Sequence, residues 1–399
     1  MSDTYTEVSH QGWFSRIGQS IKGILFGLVV IPLCIMLLWW NEGRAVTTAN
    51  SLKEGAAAVV SVPADKVDPA HEKKLIHVTG EARAAANVSD PLFGVSAAAL
   101  RLVRNEQIYQ WTESSKSEKK EKFGGGEETV TTYTYDKKWV DEPVNSGQFK
   151  QPNGHANQGG LIGGNDSFPA AEVSLGAFQV PPIFVRSIGS PTKHPVAEAD
   201  LARLPAELKE KARAQNGAFY FGQDADAPQI GDRRVSFELV KPGPFSILAA
   251  QVGRTFAPYQ TKAGDAISFV EEGAVSSETM FKNANRANTF MTWLARLGGF
   301  LFMSFGFMAI MRPLSVLGSV VPFIGSIIGM GTGVIAFLLA AIISLFVIAI
   351  AWIVARPILG IMLLIAAVGA LIALRKMASG SQSSLVAVHQ GTPRLAPDS

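Results

Sequence analysis

Apolar residues concentrate in one run near the N-terminus and in the last third of the chain. Gly23–Trp40 carries no charge, and at about 1.5 Å per residue it reaches roughly 27 Å, which matches the hydrocarbon core of a bilayer. Arg16 and Lys22 flank its start, and Trp39 and Trp40 suit an interface at its end. A cleaved signal peptide would have a shorter apolar core and a small-residue cleavage site. We therefore predict a retained signal anchor as transmembrane helix 1, residues 23–40.

The C-terminal third predicts three more spans. Residues 291–311 form the second candidate helix. The uncharged stretch that follows is too long for one helix and too short for two with a loop, and Pro322 and several glycines interrupt it. We predict a re-entrant or interfacial segment at 314–328, then helices at 329–355 and 357–374.

Four spans place both termini on one side of the membrane. The positive-inside tendency favours a cytoplasmic N-terminal segment (1–22) and a cytoplasmic, disordered tail (375–399). The residues behind that preference are Arg16, Lys22, Arg312, Arg375 and Lys376. The domain at 41–290 is then extracytoplasmic, either periplasmic or lumenal.

The polar region between the first two spans has mainly the alternation of β-strands. Strand patterns occur around residues 75–79, 218–221, 235–240 and 245–252, and 108–113 pairs with 129–139 as a hairpin. The charged, glycine-containing stretch 114–128 predicts an exposed, mobile loop. Helical patterns occur near Ala45–Ala58 and at 201–215. The predicted fold class is a membrane protein with four transmembrane α-helices and a large α+β, β-rich soluble domain.

Composition and charge narrow the classes of function. Of the 399 residues, 47% are hydrophobic and 17% are charged, and the net charge is +3. Because the basic residues of the polar region alternate with acidic ones, we expect no nucleic-acid partner. Cys34 is the only cysteine, which excludes an intramolecular disulfide and a cysteine-based zinc site. Apart from Arg296 near the entry of the second span, charged residues are absent from the predicted spans, which disfavours a pump or coupled transporter.

Small residues recur at helical spacing in the predicted spans. Gly23 and Gly27 lie in the first, and Gly325, Gly329 and Gly333 form a second stripe. Such stripes let helix backbones approach closely. They predict helix packing, within one chain or in a homo-oligomer, although glycine is also common in membrane helices that make no such contact.

Catalytic motifs are weak. The stretch from Gly154 to Gly164 invites comparison with a phosphate-binding loop, but it lacks the Gly-Lys-Ser/Thr ending, so a structured turn is the preferred interpretation. His155 lies among glycines and Asn157, where an imidazole could exchange protons or bind a ligand; a hydrogen-bonded loop histidine is the alternative. The sequence has no HExxH and no G-x-S-x-G motif. We expect no enzyme activity, no metal and no cofactor.

Glu42 and Arg44 lie where the first span leaves the membrane. They can pair with each other, bind lipid headgroups or contact the C-terminal bundle. Simple anchoring of the chain at the interface is the fourth interpretation.

Short motifs spread along the chain resemble the LUMA family, also called transmembrane protein 43. They are Asn41-Glu42-Gly43-Arg44-Ala45, Ser51-Leu52-Lys53-Glu54-Gly55, Ser89-Asp90-Pro91 with Gly94-Val95, Tyr109-Gln110-Trp111, Tyr133-x-Tyr135 leading to Trp139, Gly154-His155-x-Asn157, and Gly231-Asp232-x-Arg234-Val235-Ser236-Phe237. We take Tyr109, Trp111, His155 and Asn157 from them as candidate binding positions, beside Glu42 and Arg44. Ala156 and Gln158 depart from the lysine and proline that this family has there.

The resemblance to this family implies where the protein resides and which kinds of partner it binds. Eukaryotic members reside in the endoplasmic reticulum and inner nuclear membrane and associate with envelope proteins. The alanine-rich, single-cysteine sequence looks bacterial, and a bacterial member would lie in the inner membrane with a periplasmic domain. The main hypothesis is a scaffold that binds the lipid bilayer and membrane or envelope proteins. An oligomeric ion-conducting or lipid-handling protein is the alternative, and a membrane-bound hydrolase using His155 comes third.

Overall fold

A computed structural model describes residues 3–355 of the chain. The predicted fourth span at 357–374 and the tail at 375–399 lie outside the described residues. The helices are α1 (Trp13–Ala58), α2 (Pro182–Ser187), α3 (Ala206–Lys209), α4 (Ser277–Gly318) and α5 (Pro322–Ala355). Short 3₁₀ helices cover Pro69–His71, Ser146–Gln148 and Glu198–Arg203.

Most of the domain is built from strands. They are β1 (Asp3–Gln11), β2 (Val60–Pro63), β3 (Leu75–Ala84), β4 (Val88–Ser89), β5 (Ser96–Ala97), β6 (Arg101–Glu121), β7 (Glu127–Val140), β8 (Asp166–Pro169), β9 (Val173–Leu175), β10 (Phe178–Val180), β11 (Thr192–His194), β12 (Ala212–Gln215), β13 (Ala218–Phe221), β14 (Arg233–Val240), β15 (Gly243–Val252), β16 (Thr255–Ala257), β17 (Tyr259–Gln260), β18 (Ala266–Ile267) and β19 (Phe269–Glu272). The β-rich domain is therefore confirmed.

Two larger sheets share one hydrophobic core. The first has the order β1-β7-β6-β14-β13-β12, with β11 beside β14 and β8 beside β6; the second has the order β10-β9-β3-β15-β16, with β19 on β15 and β2 on β3. Phe219 and Phe237 of the first sheet and Val78 and Ile247 of the second belong to the same buried cluster. Burial of apolar side chains from both sheets stabilises the domain.

Three strands of the first sheet extend beyond this core as a ribbon. β6 and β7 pair from Ile108↔Val140 to Glu121↔Glu127, and β1 pairs with β7 from Asp3↔Tyr135 to Gln11↔Glu127. We call the stretch of β1, β7 and β6 beyond Gln110 the ribbon, and residues 121–127 its tip. The predicted mobile loop at 114–128 is wrong, because only 122–126 lie between the two strands. The charges that suggested a loop lie on a solvated ribbon.

Among residues 3–355, three helices are long and apolar enough to cross a membrane: α1, α4 and α5. They pack together around Cys34, Leu38, Met303, Ala340 and Val347, and we call this unit the bundle. Exposed Leu, Ile, Val, Phe and Met side chains cover its outside. A large apolar surface of this kind suits lipid.

Each of these helices is longer than the sequence indicated. α1 begins at Trp13 rather than 23 and includes the separate helix expected near Ala45–Ala58, while α4 begins at Ser277 rather than 291. Polar residues at the ends of an apolar run weaken the hydropathy signal without breaking the helix. The predicted N-terminal segment 1–22 therefore contains the strand β1, which joins the domain, and the first turns of α1.

The segment 314–328, predicted to be re-entrant or interfacial, consists of the end of α4, a turn and the start of α5. α4 continues to Gly318, a turn of three residues follows, and α5 starts at Pro322. Proline is well tolerated at the first position of a helix, and the glycines after it do not interrupt α5. The single surface helix predicted at 201–215 is wrong, because these residues form part of a 3₁₀ helix, α3 and β12.

Candidate functional site

A polar cluster lies where α1 and α4 run from the bundle towards the domain. The Glu42 carboxylate is 1% exposed and accepts two hydrogen bonds of 2.7 Å from the Arg296 guanidinium. Arg44 donates to Asn288 at 2.9 Å and to Thr292 at 3.1 Å. A bidentate, buried pair of this kind is strong and directional. The structure therefore places Glu42 and Arg44 against the C-terminal bundle, one of the predicted alternatives, and each uses a different partner.

A small cavity of about 190 Å³ opens beside this cluster. Glu42, Arg296, Trp293 and Trp352 are among its lining residues, so all three helices of the bundle contribute. The Arg296 guanidinium lies 4.8 Å from the centre of the Trp293 ring. A carboxylate, a guanidinium and indole rings together can bind a zwitterionic group.

His155 lies in an aromatic site on the ribbon. Its ring stacks on Tyr135 with centroids 4.0 Å apart and meets the edge of Trp111 at 4.7 Å. Its Nδ1 is 2.9 Å from the Gln151 carbonyl, and its Nε2 is 3.3 Å from the Asp3 carboxylate in β1. At 5% exposure, the imidazole holds loop 141–165 and β1 together.

The remaining candidates in this region are held in two different ways. Asn157 accepts from the Trp111 N–H and donates to the Trp111 carbonyl, so its amide extends the ladder of β6. Tyr109 packs on Trp139 instead, 5.3 Å away. Three of these four candidate positions, Trp111, His155 and Asn157, therefore lie together in the structure, and Tyr109 lies apart from them.

Tyr135 is a member of the aromatic site that was not among the candidates. Its hydroxyl donates to Glu113 at 2.8 Å and accepts from the Gln151 N–H at 3.0 Å. Burial first, and then the bond to the Glu113 carboxylate, raise the pKa of Tyr135 to about 12. The phenol is therefore neutral at physiological pH and acts as a structural hydrogen-bond donor.

Comparison with known proteins identifies the family. The family model for transmembrane protein 43 matches residues 108–357. The chain belongs to the transmembrane protein 43 family. It is 30% identical to mouse transmembrane protein 43 over 363 residues, covering 88% of this chain and 89% of the mouse protein. It is 29% identical to the human protein, with 88% of each chain covered, and 27% identical to the Drosophila homolog, with 86% and 91% covered. No solved structure matches the chain.

Motifs that resemble the transmembrane protein 43 family take structural roles. Asp90 is fully buried and bonds the Arg104 guanidinium at 2.7 Å. The guanidinium of Arg234 lies 4.5 Å from the ring centre of Trp139, in a cavity of about 360 Å³. β11 and β13 both pair with β14 beside this cavity, one after the other along the same strand.

Glu106 explains the glycine-rich stretch. Its fully buried carboxylate accepts from the backbone N–H groups of Ile162, Gly163 and Gly164. Successive N–H groups of this kind form a nest for anions. The loop therefore binds a carboxylate of its own chain where a phosphate-binding loop would bind a phosphate, and it is structured as predicted. The sequence gives no local signal for Glu106, which lies over 50 residues earlier.

The two predicted glycine stripes differ. A Cβ on Gly27 would lie 2.4 Å from the Gly306 carbonyl oxygen, and one on Gly23 would lie 3.2 Å from that of Ala309. Gly325 and Gly329 face Ser319 and Ser315 at the turn between α4 and α5. Nothing lies within 4 Å of a Cβ on Gly333. Four of the five glycines thus make close contacts within one chain.

A second polar cluster was missed, and it joins the ribbon tip to the far end of the bundle. Arg16 is 7% exposed and donates to Glu121 at 2.8 Å, to the Gly125 carbonyl at 2.6 Å and to Ser319 at 3.0 Å. The Glu127 carboxylate is 3.5 Å from the same guanidinium. We call these side chains and the backbone they bind the clasp.

Two further bonds belong to the clasp. The Trp13 indole donates to the Val316 carbonyl at 2.9 Å, and the Gly124 N–H donates to the Val320 carbonyl at 3.0 Å. Within residues 3–355, no group of three or more His, Cys, Asp or Glu side chains is arranged to hold a metal ion. In each of the two clusters, the polar side chains bind one another and nearby backbone groups.

Proposed function

We propose that this protein is a non-catalytic membrane scaffold, in which the bundle presents the β-rich domain to partner proteins in one fixed pose. The main support is the continuity of α1 and α4. Each runs from the bundle into the domain without a break, and each ends in the domain's own hydrophobic packing. A flexible linker would let the domain turn freely, whereas a continuous helix transmits its orientation.

The junction is a packed core. Leu52 of α1 and Met280 and Phe281 of α4 bury against strand residues of the second sheet and β18. A Cβ on Gly55 would lie 2.3 Å from Ile267 and 3.0 Å from Phe281, so the helix backbone lies directly on the domain. Native-density packing of this type resists bending.

The surroundings of His155 support the absence of catalysis. Both ring nitrogens have partners, and two aromatic rings cover the imidazole. A general base must reach the proton that it abstracts. The hydrolase hypothesis therefore has no accessible imidazole to rest on at this position.

The cavity beside Glu42 and Arg296 favours lipid handling as the second candidate. It offers a carboxylate and a guanidinium at one end of the apolar bundle, which suits a zwitterionic headgroup. The packed centre of the bundle is mainly apolar in the described helices, and its buried Ser304 and Ser344 are bonded to Phe300 and Met303, an arrangement that does not favour ion conduction through a single copy.

The test compares two glycines of the same helix. Gly55→Leu disturbs the junction, and Gly43→Leu is the matched control because nothing lies within 4 Å of a Cβ there. A photo-crosslinking residue replaces exposed Ser174 in the domain, and crosslinked partners of the full chain are identified from native membranes by mass spectrometry. We expect a defined partner that Gly43→Leu retains and Gly55→Leu loses, with circular dichroism confirming that both variants are folded.

Crosslinks to copies of this chain alone would contradict the scaffold. Reconstitution into liposomes then decides between the alternatives: protein-dependent cation flux supports a channel. Lipid that co-purifies with the wild type and is lost in Glu42→Gln supports lipid handling.

A further inference from the structure

The cavity beside Arg234 lies on the outer face of the first sheet, where β11 ends and β13 begins. Val235, Phe237 and Leu239 of β14 point into the hydrophobic core. Because side chains alternate along a strand, Arg234 and Glu238 point to the opposite face, and both line this cavity. Its volume of about 360 Å³ lies within the range of small-ligand sites, about 300–1,000 Å³.

The guanidinium of Arg234 is held in the cavity wall by two contacts. Its Nε donates to the side-chain oxygen of Gln107 at 2.7 Å, and its central carbon lies over the Trp139 ring. The Gln107 amide donates in turn to Asp141 at 2.6 Å, so its oxygen faces Arg234. A guanidinium that is already oriented loses little side-chain freedom when it binds a ligand.

The outer edge of this guanidinium is available for a ligand. Within residues 3–355, the two terminal amino groups of Arg234 have no hydrogen-bond acceptor and no ion pair, and the side chain is open to solvent. Because Nε is already used, Nη1 and Nη2 form a flat pair of donors. That pair matches the two oxygens of a carboxylate.

Two nearby carboxylates do not neutralise Arg234. Asp232 accepts from the Tyr220 hydroxyl at 2.5 Å and from the Gln229 N–H at 2.8 Å. Asp141 acts on the guanidinium only from a distance, and its charge offsets just part of the lowering of the Arg234 pKa that burial causes. The cation therefore lacks a paired anion in the part of the chain that the structure describes.

The far end of the cavity has charges of both signs. Glu238 follows Arg234 by four residues on the same face, which is about 13 Å at the rise of a strand. Lys193 of β11 is the register partner of Glu238, so their side chains share one face and their charges offset each other. The Arg234 end of the cavity is therefore the end that attracts an anion.

We propose that this cavity binds a carboxylate, which the Nη1 and Nη2 groups of Arg234 hold beside the Trp139 ring. The carboxylate belongs either to an acidic residue of a partner polypeptide or to a free organic acid, since both present the same planar pair of oxygens. One unpaired cation matches the single charge of a carboxylate better than the double charge of a phosphate. The site lies within the domain and does not rest on the proposed scaffold.

The test uses the full chain in nanodiscs and saturation-transfer difference NMR, which detects weak binding of small probes. The probes are N-acetyl-glutamate N-methylamide, which presents its acid as a polypeptide does, and butyrate, a free organic acid. N-acetyl-glutamine N-methylamide is the neutral control, and inorganic phosphate is the competitor. We expect saturable binding of the acids, with the glutamine control weaker by at least about tenfold.

Four variants locate the binding. Arg234→Gln should weaken binding of the acids by at least about tenfold, and Arg234→Lys, which keeps the charge but not the flat pair of donors, should weaken it less. Ala225→Leu narrows the cavity without changing any charge and should also weaken binding. Arg83→Gln replaces an exposed arginine of β3 in the second sheet and should bind like the wild type. Circular dichroism checks that each variant is folded.

Three results would overturn the inference. The first is equal binding of the acids by the wild type and Arg234→Gln, and the second is equal binding of the glutamine control. The third is displacement of the acids by an equal concentration of phosphate, because the site would then select charge rather than a carboxylate. If the blocked glutamate binds more tightly than butyrate, the source is a partner polypeptide; the reverse order identifies a free organic acid.

Discussion

The two ends of the bundle are held to the domain by different forces. At the domain end, apolar side chains of α1 and α4 join a hydrophobic cluster, and one fully buried carboxylate pairs with one guanidinium. At the clasp end, a single guanidinium binds two carboxylates, one backbone carbonyl and one hydroxyl group. Apolar burial is insensitive to pH and salt, whereas charge pairs are not. We therefore expect changes in pH or salt to weaken the attachment at the clasp end more than the attachment at the domain end.

The largest expected effect is at the domain end. Glu42→Ala leaves the Arg296 guanidinium without its carboxylate, and breaking a buried pair costs about 3–5 kcal/mol of unfolding free energy. Thermal unfolding in detergent micelles, followed by tryptophan fluorescence, measures the loss. The double variant Glu42→Ala/Arg296→Met should recover much of it, because no uncompensated charge remains. A single variant as stable as the wild type would show that the pair contributes nothing.

Arg16→Met tests the clasp end. It leaves the buried Glu127 carboxylate with fewer partners, which costs about 1–3 kcal/mol. Because the clasp is local, the loss should appear as faster amide hydrogen exchange in β1 and the ribbon tip, while the second sheet stays protected. Lys22→Met, exposed on the same helix, is the matched control. Equal loss of protection in both sheets would contradict a local joint.

Acid should loosen the clasp end. Burial by itself would raise the pKa of Glu127, but the hydrogen bond and charge of Lys119 and the charge of Arg16 lower it below the ordinary 4.5. The stabilisation from this carboxylate is therefore fully present above pH 4.5 and is lost as pH falls through the lower, folded-state pKa. Screening limits it to about 1 kcal/mol. Hydrogen exchange in β1 should accelerate in that range, and Glu127→Gln should remove the pH dependence.

Phe123→Ser should have the smallest effect. The ring is 87% exposed at the ribbon tip, so its loss should change stability in micelles by less than about 0.5 kcal/mol. Phe93→Ser, at a fully buried position, is the contrasting control and should destabilise the domain strongly. A large effect of Phe123→Ser would mean that the tip is held by apolar contact rather than by Arg16.

Sequence patterns succeeded where one force dominates a whole segment. The apolar stretches after Gly23 and Met291 predicted membrane helices, and the alternation near Ile108 and Phe245 predicted strands that the structure contains. They failed where two signals compete. The charges of 114–128 indicated a loop because a ribbon that is solvated on both faces has no alternating burial to reveal it.

Long-range partners account for the rest. The positions of Glu42 and Arg44 suggested an interface role, but nothing in the local sequence connects Glu42 with Arg296, 254 residues later. Arg16 was interpreted only as a flanking charge, since its carboxylate partners follow over 100 residues later. Contacts between distant segments depend on the topology of the sheet, which periodicity does not determine.

The reactivity of the single cysteine, Cys34, can report on the opening of the bundle. Cys34 is 5% exposed, in the packed centre of the bundle, and no other thiol competes for a reagent. A thiol probe can react only during moments when neighbouring helices separate, so its labelling rate counts openings of the bundle. The rate at which Cys34 is labelled in the wild-type chain therefore measures how often the membrane helices separate.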